Sequence, residues 1–499
     1  MAAAAGAFMG LAQAPVSWPL VYAFALPLLF WLHGRTQRGW TGFRIGWAAG
    51  AGYFTVVLFW IVEPFLVDIR THGWMAPFAL IGMAGGLSLF WAAAFGLTTF
   101  LRPKPLMRVI CLASLWTLAE YARAHVLTGF PWGLLAYGWI DTPVAQGLSL
   151  VGPHGLDFLT MLAGLALGLA RPAAVLASVA LVGALWGFGA WRLSQPVELR
   201  PDGFVVRVVQ PNAAQDIKWQ PGMAQVFYER LLAETAARAE GVAPSAVVWP
   251  ETAVPFLLGE RPELQTEIAG VAGPDATVVL GLRRREWQPD HPAGEAWYNS
   301  LAVLAPETGD ALAVYDKHHL VPFGEYFPLA KRVAGLGLPG LTGLTGTGFD
   351  AGPGPVIMSE TGLPPFLPLI CYEAIFTNEA TIPEVRPDWF VQITNDAWFG
   401  KISGPYQHLA QARARSIEYG LPLVRSANTG ISAITDPYGR VLASIPLGRQ
   451  GHADAQLALP LEETIYMRVR NWPLVLLILP IFQLTLSKVY GGMLRQPGQ

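Results

Sequence analysis

The chain has 499 residues, of which 53% are hydrophobic and only 14% are charged, and its net charge at pH 7 is −2. Soluble domains carry about 25% charged residues, so the composition indicates a membrane protein, and the near-zero net charge argues against nucleic acid as a partner. The shortage of charge is concentrated in residues 1–195, whereas residues 196–470 have the composition of a soluble α/β domain. The two cysteines, Cys111 and Cys371, lie in such different surroundings that a disulfide is not expected.

Apolar stretches of membrane-spanning length recur in the first 195 residues and return near the C-terminus. A helix needs about 20 residues, with a range of roughly 17–25, to cross a bilayer. The stretches that qualify are 16–33, 43–64, 75–101, 106–125, 154–170, 172–191 and 472–490. With a shorter candidate at 1–14, residues 1–195 are expected to hold about seven transmembrane helices, the first of them short. Residues 471–499 are expected to hold one more and a short cytoplasmic tail.

Positive charges predict the orientation of these helices, because loops rich in Lys and Arg stay in the cytoplasm. The basic residues that separate or follow the apolar stretches fall on one predicted side: Arg35, Arg38, Arg44, Arg102, Lys104, Arg108, Arg171, Lys488 and Arg495. The large region 192–471 then falls on the opposite side. The soluble domain, 196–470, is therefore expected outside the cytoplasm, held between two membrane anchors.

Strand-like and helix-like patterns alternate in this soluble region. Apolar runs of strand length lie at 204–210, 246–250, 277–281, 299–304, 311–315, 366–371, 389–393, 422–426 and 431–435. Helical periodicity occupies 222–240 and 404–419. Alternating strands and helices indicate a layered α/β domain.

Three residue types suited to acyl chemistry lie at or just past strand-like runs: Glu251, Lys317 and Cys371. A thiol nucleophile, a carboxylate base and an ammonium that stabilises an oxyanion form a working set for acyl transfer. Taken singly, each has an ordinary alternative: a solvated loop carboxylate, a surface lysine and an inert buried thiol.

Further polar residues lie close to these three in the sequence. Glu325 and Glu373 are candidates for orienting the lysine or the first glutamate, against the alternative of exposed loop acids. His318 and His319 are adjacent on an extended chain, where neighbouring side chains point in opposite directions. A metal site is therefore not expected there.

The stretch 335–354 is rich in Gly, Leu and Thr without any periodicity, which is typical of a loop. It carries Leu341 and Leu344 among glycines. An apolar loop on a membrane-held domain is expected to dip toward the bilayer and admit an acyl chain. The alternative is a disordered surface loop.

Five motifs in order resemble those of the nitrilase, or carbon–nitrogen hydrolase, superfamily. They are Trp-Pro-Glu at 249–251, Asp-Lys-His-His-Leu-Val-Pro-Phe-Gly-Glu at 316–325, Ile-Cys-Tyr-Glu at 370–373, Thr-Asn-Asp-Ala-Trp-Phe-Gly at 394–400 and Arg-Ser-Ala-Asn-Thr-Gly at 425–430. The lysine motif, the flanking apolar stretches, Phe-Pro-Trp-Gly at 130–133 and Gln407-His408 are similar to one branch, the bacterial apolipoprotein N-acyltransferases. Any one tripeptide is weak evidence for the family, whereas five motifs in order, flanked by apolar stretches of membrane-spanning length, are specific evidence for it.

The resemblance implies a multi-span α-helical membrane bundle joined to a nitrilase-like α/β domain, an α-β-β-α sandwich. It implies that Cys371 is the nucleophile, Glu251 the general base and Lys317 the electrostatic stabiliser. The positions that it implies to be supporting ones are Glu325, Tyr372 and Glu373, and Trp219 matches a residue that marks the mobile substrate entrance. Leu421 departs from the family pattern, which often has an arginine there, and this puts a local salt bridge in doubt.

The function that the resemblance implies is the last step of bacterial lipoprotein maturation. An acyl chain would pass from a membrane phospholipid, through a cysteine thioester, to the α-amino group of the N-terminal diacylglyceryl-cysteine of an apolipoprotein. The enzyme would work as a monomer in the bacterial inner membrane, with the catalytic domain on the periplasmic side and without a cofactor.

Two other functions compete with this one. A membrane-tethered amidase or nitrilase acting on a soluble amide would use the same triad, but it would not need so many spans. A transporter with an outer binding module would place ionisable residues at the membrane midplane. The apolar stretches hold few such residues, Glu120 and Arg123 being the main exceptions.

Overall fold

The computed structural model describes residues 1–218, 220–238, 241–291, 293–328, 348–380, 385–481, 483–484 and 487. The three residues expected at a substrate entrance, Trp219, Leu341 and Leu344, lie outside the described residues.

The first 195 residues are helical. The helices are α1 Ala2–Gly10, α2 Tyr22–Gly34, α3 Gly39–Val57, α4 Glu63–Leu66, α5 Ile69–His72, α6 Ala76–Leu101, α7 Pro105–His125, α8 Leu148–Leu167 and α9 Pro172–Leu193. Proline occupies the first or second position of α6, α7 and α9, where its missing N–H costs no hydrogen bond. Helices therefore lie at all six of the N-terminal apolar stretches of spanning length.

The structure differs from the expected spans at two places. The stretch 43–64 is not one straight helix, because α3 ends at Val57 and the following helical segment Phe59–Leu66 is bent by 64° from it. Helix α1 has 9 residues, or about 14 Å at 1.5 Å per residue, which is half of a ~30 Å hydrocarbon core. It packs on α3 so closely that a Cβ at Gly6 would lie 1.8 Å from the carbonyl oxygen of Ala49.

In the part of the chain that the structure describes, three helical segments are long and apolar enough to cross a membrane: Ile69–Leu101, Pro143–Leu167 and Pro172–Leu193. The bent pair at 39–66 makes a fourth if it counts as one span. Helix α7 is the most polar of the long helices. Its Glu120 and Arg123 form a buried ion pair, with 2.8 Å between Arg123 Nε and Glu120 Oε2.

The described residues between 196 and 470 form two β-sheets flanked by helices. The strands are β1 Val205–Gln210, β2 Ala246–Val248, β3 Thr277–Trp287, β4 Glu295–Leu304, β5 Ala311–Asp316, β6 Phe366–Ile370, β7 Trp389–Thr394, β8 Leu423–Ala427, β9 Ser432–Thr435, β10 Val441–Ile445 and β11 Gly451–Gln456. The helices are α10 Met223–Ala236, α11 Pro262–Ala272, α12 Gly404–Tyr419 and α13 Ile465–Val469.

The strand order is β11-β1-β2-β3-β4-β5 in one sheet and β10-β9-β8-β7-β6 in the other. Residues of both sheets share one core, as Val206, Val248, Ile370, Val391 and Val424 illustrate. A second cluster packs α10 and α11 on the first sheet, and a third packs α12 and α13 on the second. The layers are thus α-β-β-α, and the expected sandwich is confirmed.

The expected strands and the helix 404–419 are present within a few residues, and β4 and β5 form an antiparallel hairpin. Four elements have local signals too weak to be predicted: α11, β10, β11 and α13. Strand β11 reads Gly-His-Ala-Asp-Ala-Gln, in which the polar residues alternate only with Gly and Ala, and β1 holds it as an antiparallel edge partner, with Val205 opposite Gln456.

The helical region and the sandwich share a continuous core. Tyr372 and Ile375, which follow β6, and Ala414 of α12 pack in one cluster with residues of the helices. Hydrogen bonds reinforce this contact: Trp132 Nε1 donates to Gln407 Oε1 at 2.7 Å, and Tyr372 OH donates to Gly129 O at 3.2 Å. The loop after α7 is therefore seated directly on the ends of the strands of the second sheet.

Candidate active site

The structure brings Glu251, Lys317 and Cys371 together from three different strand ends. Glu251 follows β2, Lys317 follows β5 and Cys371 follows β6. Lys317 Nζ lies 3.8 Å from Glu251 Oε1, and all three side chains are buried. Residues that are 54 or more positions apart in sequence therefore form one cluster of a carboxylate, an ammonium and a thiol.

Cys371 occupies a sharp turn between β6 and the 3₁₀ segment Cys371–Ile375. Its φ of +51° lies in the left-handed region, which is unusual for a residue with a side chain. Strained backbone of this kind costs about 1–3 kcal/mol and persists only where the surroundings hold it. The turn presents the thiol at the end of the strand, as nucleophile elbows do.

The surroundings of Cys371 disfavour the thiolate. Burial raises the pKa of Cys371, the carboxylate of Glu251 raises it further, and the ammonium of Lys317 offsets only part of this. A thiol of raised pKa needs a base at the moment of attack.

Glu251, in the same cluster, has a hydrogen bond on each of its carboxylate oxygens. Its Oε1 accepts a hydrogen bond from Asn299 Nδ2 at 2.6 Å, and its Oε2 accepts one from the backbone N–H of Asn395 at 2.7 Å. Burial raises the pKa of Glu251, while Lys317 and the two hydrogen bonds lower it without cancelling the rise. Raised basicity in a carboxylate beside a protonated thiol is what general-base catalysis requires.

Lys317 is fully charged in this site. Burial alone lowers its pKa, but the carboxylates of Glu325 and Glu251 outweigh burial and raise it. Glu325 Oε2 lies 2.8 Å from Nζ, whereas Glu251 at 3.8 Å is beyond hydrogen-bond distance. The ammonium has three N–H groups, so it retains donor capacity for a developing oxyanion.

Glu325 lies against the lysine, with 12% of its side-chain surface exposed. Its carboxylate also accepts hydrogen bonds from Val321 N at 2.8 Å and from Asn299 Nδ2 at 2.9 Å. The single amide of Asn299 therefore bridges both carboxylates that flank Lys317.

Glu373 is fully buried and ties two loops together. It accepts hydrogen bonds from Tyr315 OH at 2.8 Å, from His318 N at 2.9 Å and from Ile370 N at 2.7 Å. Burial raises its pKa, but its contacts with His318 outweigh burial and lower it. Glu373 thus joins the segment after Lys317 to the turn of Cys371, and it orients the lysine only through this backbone.

Tyr372 faces the helical region. Its hydroxyl donates to Gly129 O, and its ring lies 6.5 Å from that of Phe130. This residue fixes the nucleophile turn against the loop that follows α7.

Two contributors to the site escaped the sequence analysis. Asn299 is a buried amide of β4, and a polar residue at an inward strand position is the signal that would have revealed it. Lys218 Nζ donates to Thr252 O at 2.7 Å, next to Glu251. Burial lowers the pKa of Lys218 to about 8, and Glu251 opposes this effect.

Histidines 318 and 319 are engaged with carboxylates. His318 Nδ1 lies 2.8 Å from Glu373 Oε1, and His319 Nδ1 contacts Glu379. Among the described residues, no group of three or more His, Cys, Asp or Glu side chains is placed to hold a metal ion.

Backbone hydrogen bonds hold residues 348–354, the described end of the expected loop 335–354, at the site. The backbone N–H of Phe349 donates to Glu325 O at 2.8 Å, and that of Gly352 donates to Lys317 O at 2.9 Å. Any movement of this end of the loop 335–354 therefore acts on the backbone of the lysine and its carboxylate partner.

Comparisons with known proteins cover both regions of the chain. Residues 5–166 match the family model of the apolipoprotein N-acyltransferase N-terminal domain, and residues 230–465 match that of the carbon–nitrogen hydrolases. Three relatives are each named apolipoprotein N-acyltransferase. The one from Rhodopseudomonas palustris is 37% identical and covers 97% of this chain and 94% of its own length. The one from Bradyrhizobium diazoefficiens is 40% identical and covers 96% of this chain and 92% of its own length. The one from Caulobacter vibrioides is 39% identical and covers 83% of this chain and 79% of its own length.

Proposed function

The chain belongs to the apolipoprotein N-acyltransferase family, and we propose that it transfers an acyl chain from a membrane phospholipid to an apolipoprotein. The acceptor is the α-amino group of the N-terminal diacylglyceryl-cysteine, and the reaction is the last step of lipoprotein maturation. The observation that carries this proposal is the buried cluster of Glu251, Lys317 and Cys371 in a chain that matches the family over both of its regions.

The first half-reaction forms a thioester. Glu251 takes the proton of Cys371 as the sulfur attacks the ester carbonyl of the phospholipid. Lys317 stabilises the tetrahedral oxyanion with its unused N–H groups. The C–O bond then breaks, Glu251 returns the proton to the departing alcohol oxygen, and the acyl chain remains on sulfur.

The second half-reaction transfers the chain to nitrogen. The neutral amine of the acceptor attacks the thioester, Glu251 accepts the proton that the amine loses, and the oxyanion is again held by Lys317. The C–S bond breaks, and the thiolate leaves and is reprotonated. One site thus serves two substrates in turn, which is ping-pong kinetics.

The thioester must survive until the amine arrives. Burial of all three residues supports this, because water that reached the site would hydrolyse the intermediate. We also propose that Trp219, Leu341 and Leu344 line the route of the acyl chain, on the ground of residue type and of a loop rooted at Glu325 and Lys317.

The location follows from the distribution of charge. We propose a multi-pass protein of the bacterial inner membrane that acts as a monomer without a cofactor, with domains at 1–195, 196–470 and 471–499. The basic loops would face the cytoplasm and the sandwich the periplasm. Reporter fusions at 34–42 and 102–108 should give cytoplasmic signals, and a cytoplasmic signal from within 192–471 would overturn this topology.

A tethered amidase is not favoured, because residues 5–166 match a domain described for apolipoprotein N-acyltransferases and the relatives share that name over most of the chain.

The experiment that tests the function is intact-mass spectrometry of the protein isolated from membranes. Wild type is expected to carry the mass of an acyl chain on Cys371, and addition of a diacylglyceryl-cysteine peptide should remove it and give the N-acylated peptide. Release of ammonia from a soluble amide without any acyl adduct would instead identify an amidase.

A further inference from the structure

A chain of buried polar side chains lies beneath the turn of Cys371 and takes no part in the mechanism above. The carbonyl oxygen of Cys371 lies 3.0 Å from His408 Nε2 and 3.2 Å from Gln392 Nε2. His408, Gln392, Asp396 and Arg425 are all fully buried. These side chains therefore act on the backbone of Cys371 and do not contact the substrate directly.

The orientation of both groups that bind this carbonyl is fixed by a single arginine. Arg425 Nη1 donates to Gln392 Oε1 at 2.6 Å, and Arg425 Nη2 donates to Asp396 Oδ2 at 2.5 Å. The other oxygen of Asp396 lies 2.9 Å from His408 Nδ1. Since a backbone carbonyl only accepts hydrogen bonds, Gln392 Nε2 donates to Cys371, and His408 donates to it in the tautomer that carries the proton on Nε2. In that tautomer Nδ1 accepts from Arg425 Nη2 at 3.3 Å.

Aromatic rings also restrain the imidazole of His408. The ring of Trp132, from the loop after α7, lies 5.8 Å away, and that of Phe399 lies 5.3 Å away. The neighbouring residue Gln407 accepts the indole N–H of Trp132 at 2.7 Å. The imidazole can hardly rotate, so the direction of its Nε2–H is set by both the sandwich and the helical region.

Holding this carbonyl has a consequence on the other side of the peptide. A trans peptide is planar, with its C=O and N–H pointing in opposite directions. Fixing the carbonyl of Cys371 toward His408 therefore directs the N–H of Tyr372 away from His408. At a turn with φ of +51°, this restraint also keeps the backbone in the left-handed region that presents the thiol.

We propose that His408 is a positioning residue for acyl transfer: it holds the Cys371–Tyr372 peptide so that the thiol and the Tyr372 N–H face the carbonyl under attack. The inference rests on the proposed function, because it concerns the oxyanion of that reaction. Gln392 is the second donor to the same carbonyl, and Asp396 and Arg425 hold the two donors in place.

The test compares two reactions of one thiol. Acylation passes through an oxyanion and needs the positioned N–H, whereas alkylation by iodoacetamide is a displacement at carbon that forms no oxyanion. Both are measured by intact mass on the full-length protein, in single turnover, with a phospholipid and with a p-nitrophenyl acyl ester as donors.

His408→Leu should lower the rate of acylation from both donors about 100-fold, because loss of one oxyanion donor costs about 10²–10³. Alkylation should stay within about threefold of wild type. His408→Gln should restore most of the acylation, since its amide can donate from nearly the position of Nε2. Should His408→Leu not fold, His408→Phe serves instead, because it keeps a ring in the same space and removes the donor; it should slow acylation to a similar extent while sparing alkylation.

The matched control is Tyr419→Phe, which removes a buried hydroxyl that donates to Thr377 O at 2.6 Å on the same helix as His408. It should leave both rates unchanged. Equal slowing of the two reactions in His408→Leu, normal acylation in that variant, or failure of His408→Gln to restore acylation would each overturn the proposal. Absence of any acyl adduct from phospholipid in wild type would instead refute the proposed function, and the p-nitrophenyl ester would still report on His408.

Discussion

Two of the protein's buried clusters of charge differ in balance. In the helical region, Glu120 and Arg123 are one acid and one base, three residues apart, and Arg123 also donates to the carbonyl oxygen of Trp132 at 2.8 Å. In the sandwich, one ammonium at Lys317 faces two carboxylates, Glu251 and Glu325, and a thiol.

The difference separates a structural role from a chemical one. A buried pair in which each charge has its partner stabilises one arrangement of the chain, and it offers a substrate neither an unpaired charge nor a free hydrogen-bond donor. The second cluster keeps a carboxylate of raised pKa and an ammonium with unused donors. Such imbalance is costly in an apolar interior, and it is typical of functional sites.

The largest effect is expected at the thiol. Cys371→Ala should abolish acylation of a diacylglyceryl-cysteine peptide, and Cys371→Ser should be nearly as inactive because a hydroxyl is a much weaker nucleophile. The control is Cys111→Ala, which removes the other thiol and should keep its activity. Substantial N-acylation by Cys371→Ala, measured by mass spectrometry of the peptide, would exclude the proposed mechanism.

The next largest effect is expected at Glu251. Glu251→Gln keeps the shape and removes the base, so thioester formation should fall about 10³-fold, within the range for general-base catalysis. Rapid quench followed by intact mass measures this step directly. If Cys371 still became acylated at the normal rate, Glu251 would not be the base.

Loss of the Lys317 ammonium should lower the rate of acylation somewhat less than loss of the Glu251 carboxylate does. Lys317→Ala removes oxyanion stabilisation worth on the order of 3 kcal/mol per donor, or about 10²-fold in rate. Lys317→Arg should not rescue, because a planar guanidinium does not fit where a compact charge lies between two carboxylates. An arginine variant with near-normal turnover would show that charge alone is sufficient there.

Asn299→Ala tests whether the Asn299 amide adjusts the pKa of Glu251 in the cluster of Lys317 and its two carboxylates. The amide hydrogen bond lowers the pKa of Glu251, so its loss should raise that pKa further. Because the base works only when deprotonated, the acid limb of the pH profile of kcat/KM should move to higher pH, with about a tenfold loss of rate at neutral pH. An unchanged acid limb would show that Asn299 does not tune Glu251.

The smallest effect on chemistry is expected in the balanced cluster. Arg123→Met leaves Glu120 buried without its partner, and breaking a buried pair destabilises by about 3–5 kcal/mol. The melting temperature should drop, yet the rate per folded molecule should stay within about threefold of wild type. A fall in the rate comparable to that of Lys317→Ala would mean that the helical cluster also serves the reaction.

Local patterns determined much of the architecture. Strands such as β7 and β8 are predicted by short apolar runs, and the helix α12 is predicted by its helical periodicity. The family motifs contain Glu251, Lys317 and Cys371, so the sequence also identifies these residues. A buried face or a turn of this kind is encoded by residues close together in sequence, and so a single sequence suffices to find it.

Only the tertiary structure decided which side chains that are distant in sequence come into contact. The bridge from Asn299 to Glu251 and Glu325, and the hold of His408 on the carbonyl of Cys371, join residues 26 to 48 positions apart. The edge strand β11 likewise owes its conformation to pairing with β1 across the whole domain. No local pattern encodes these contacts, because their free energy comes from packing and burial that exist only once both partners are in place.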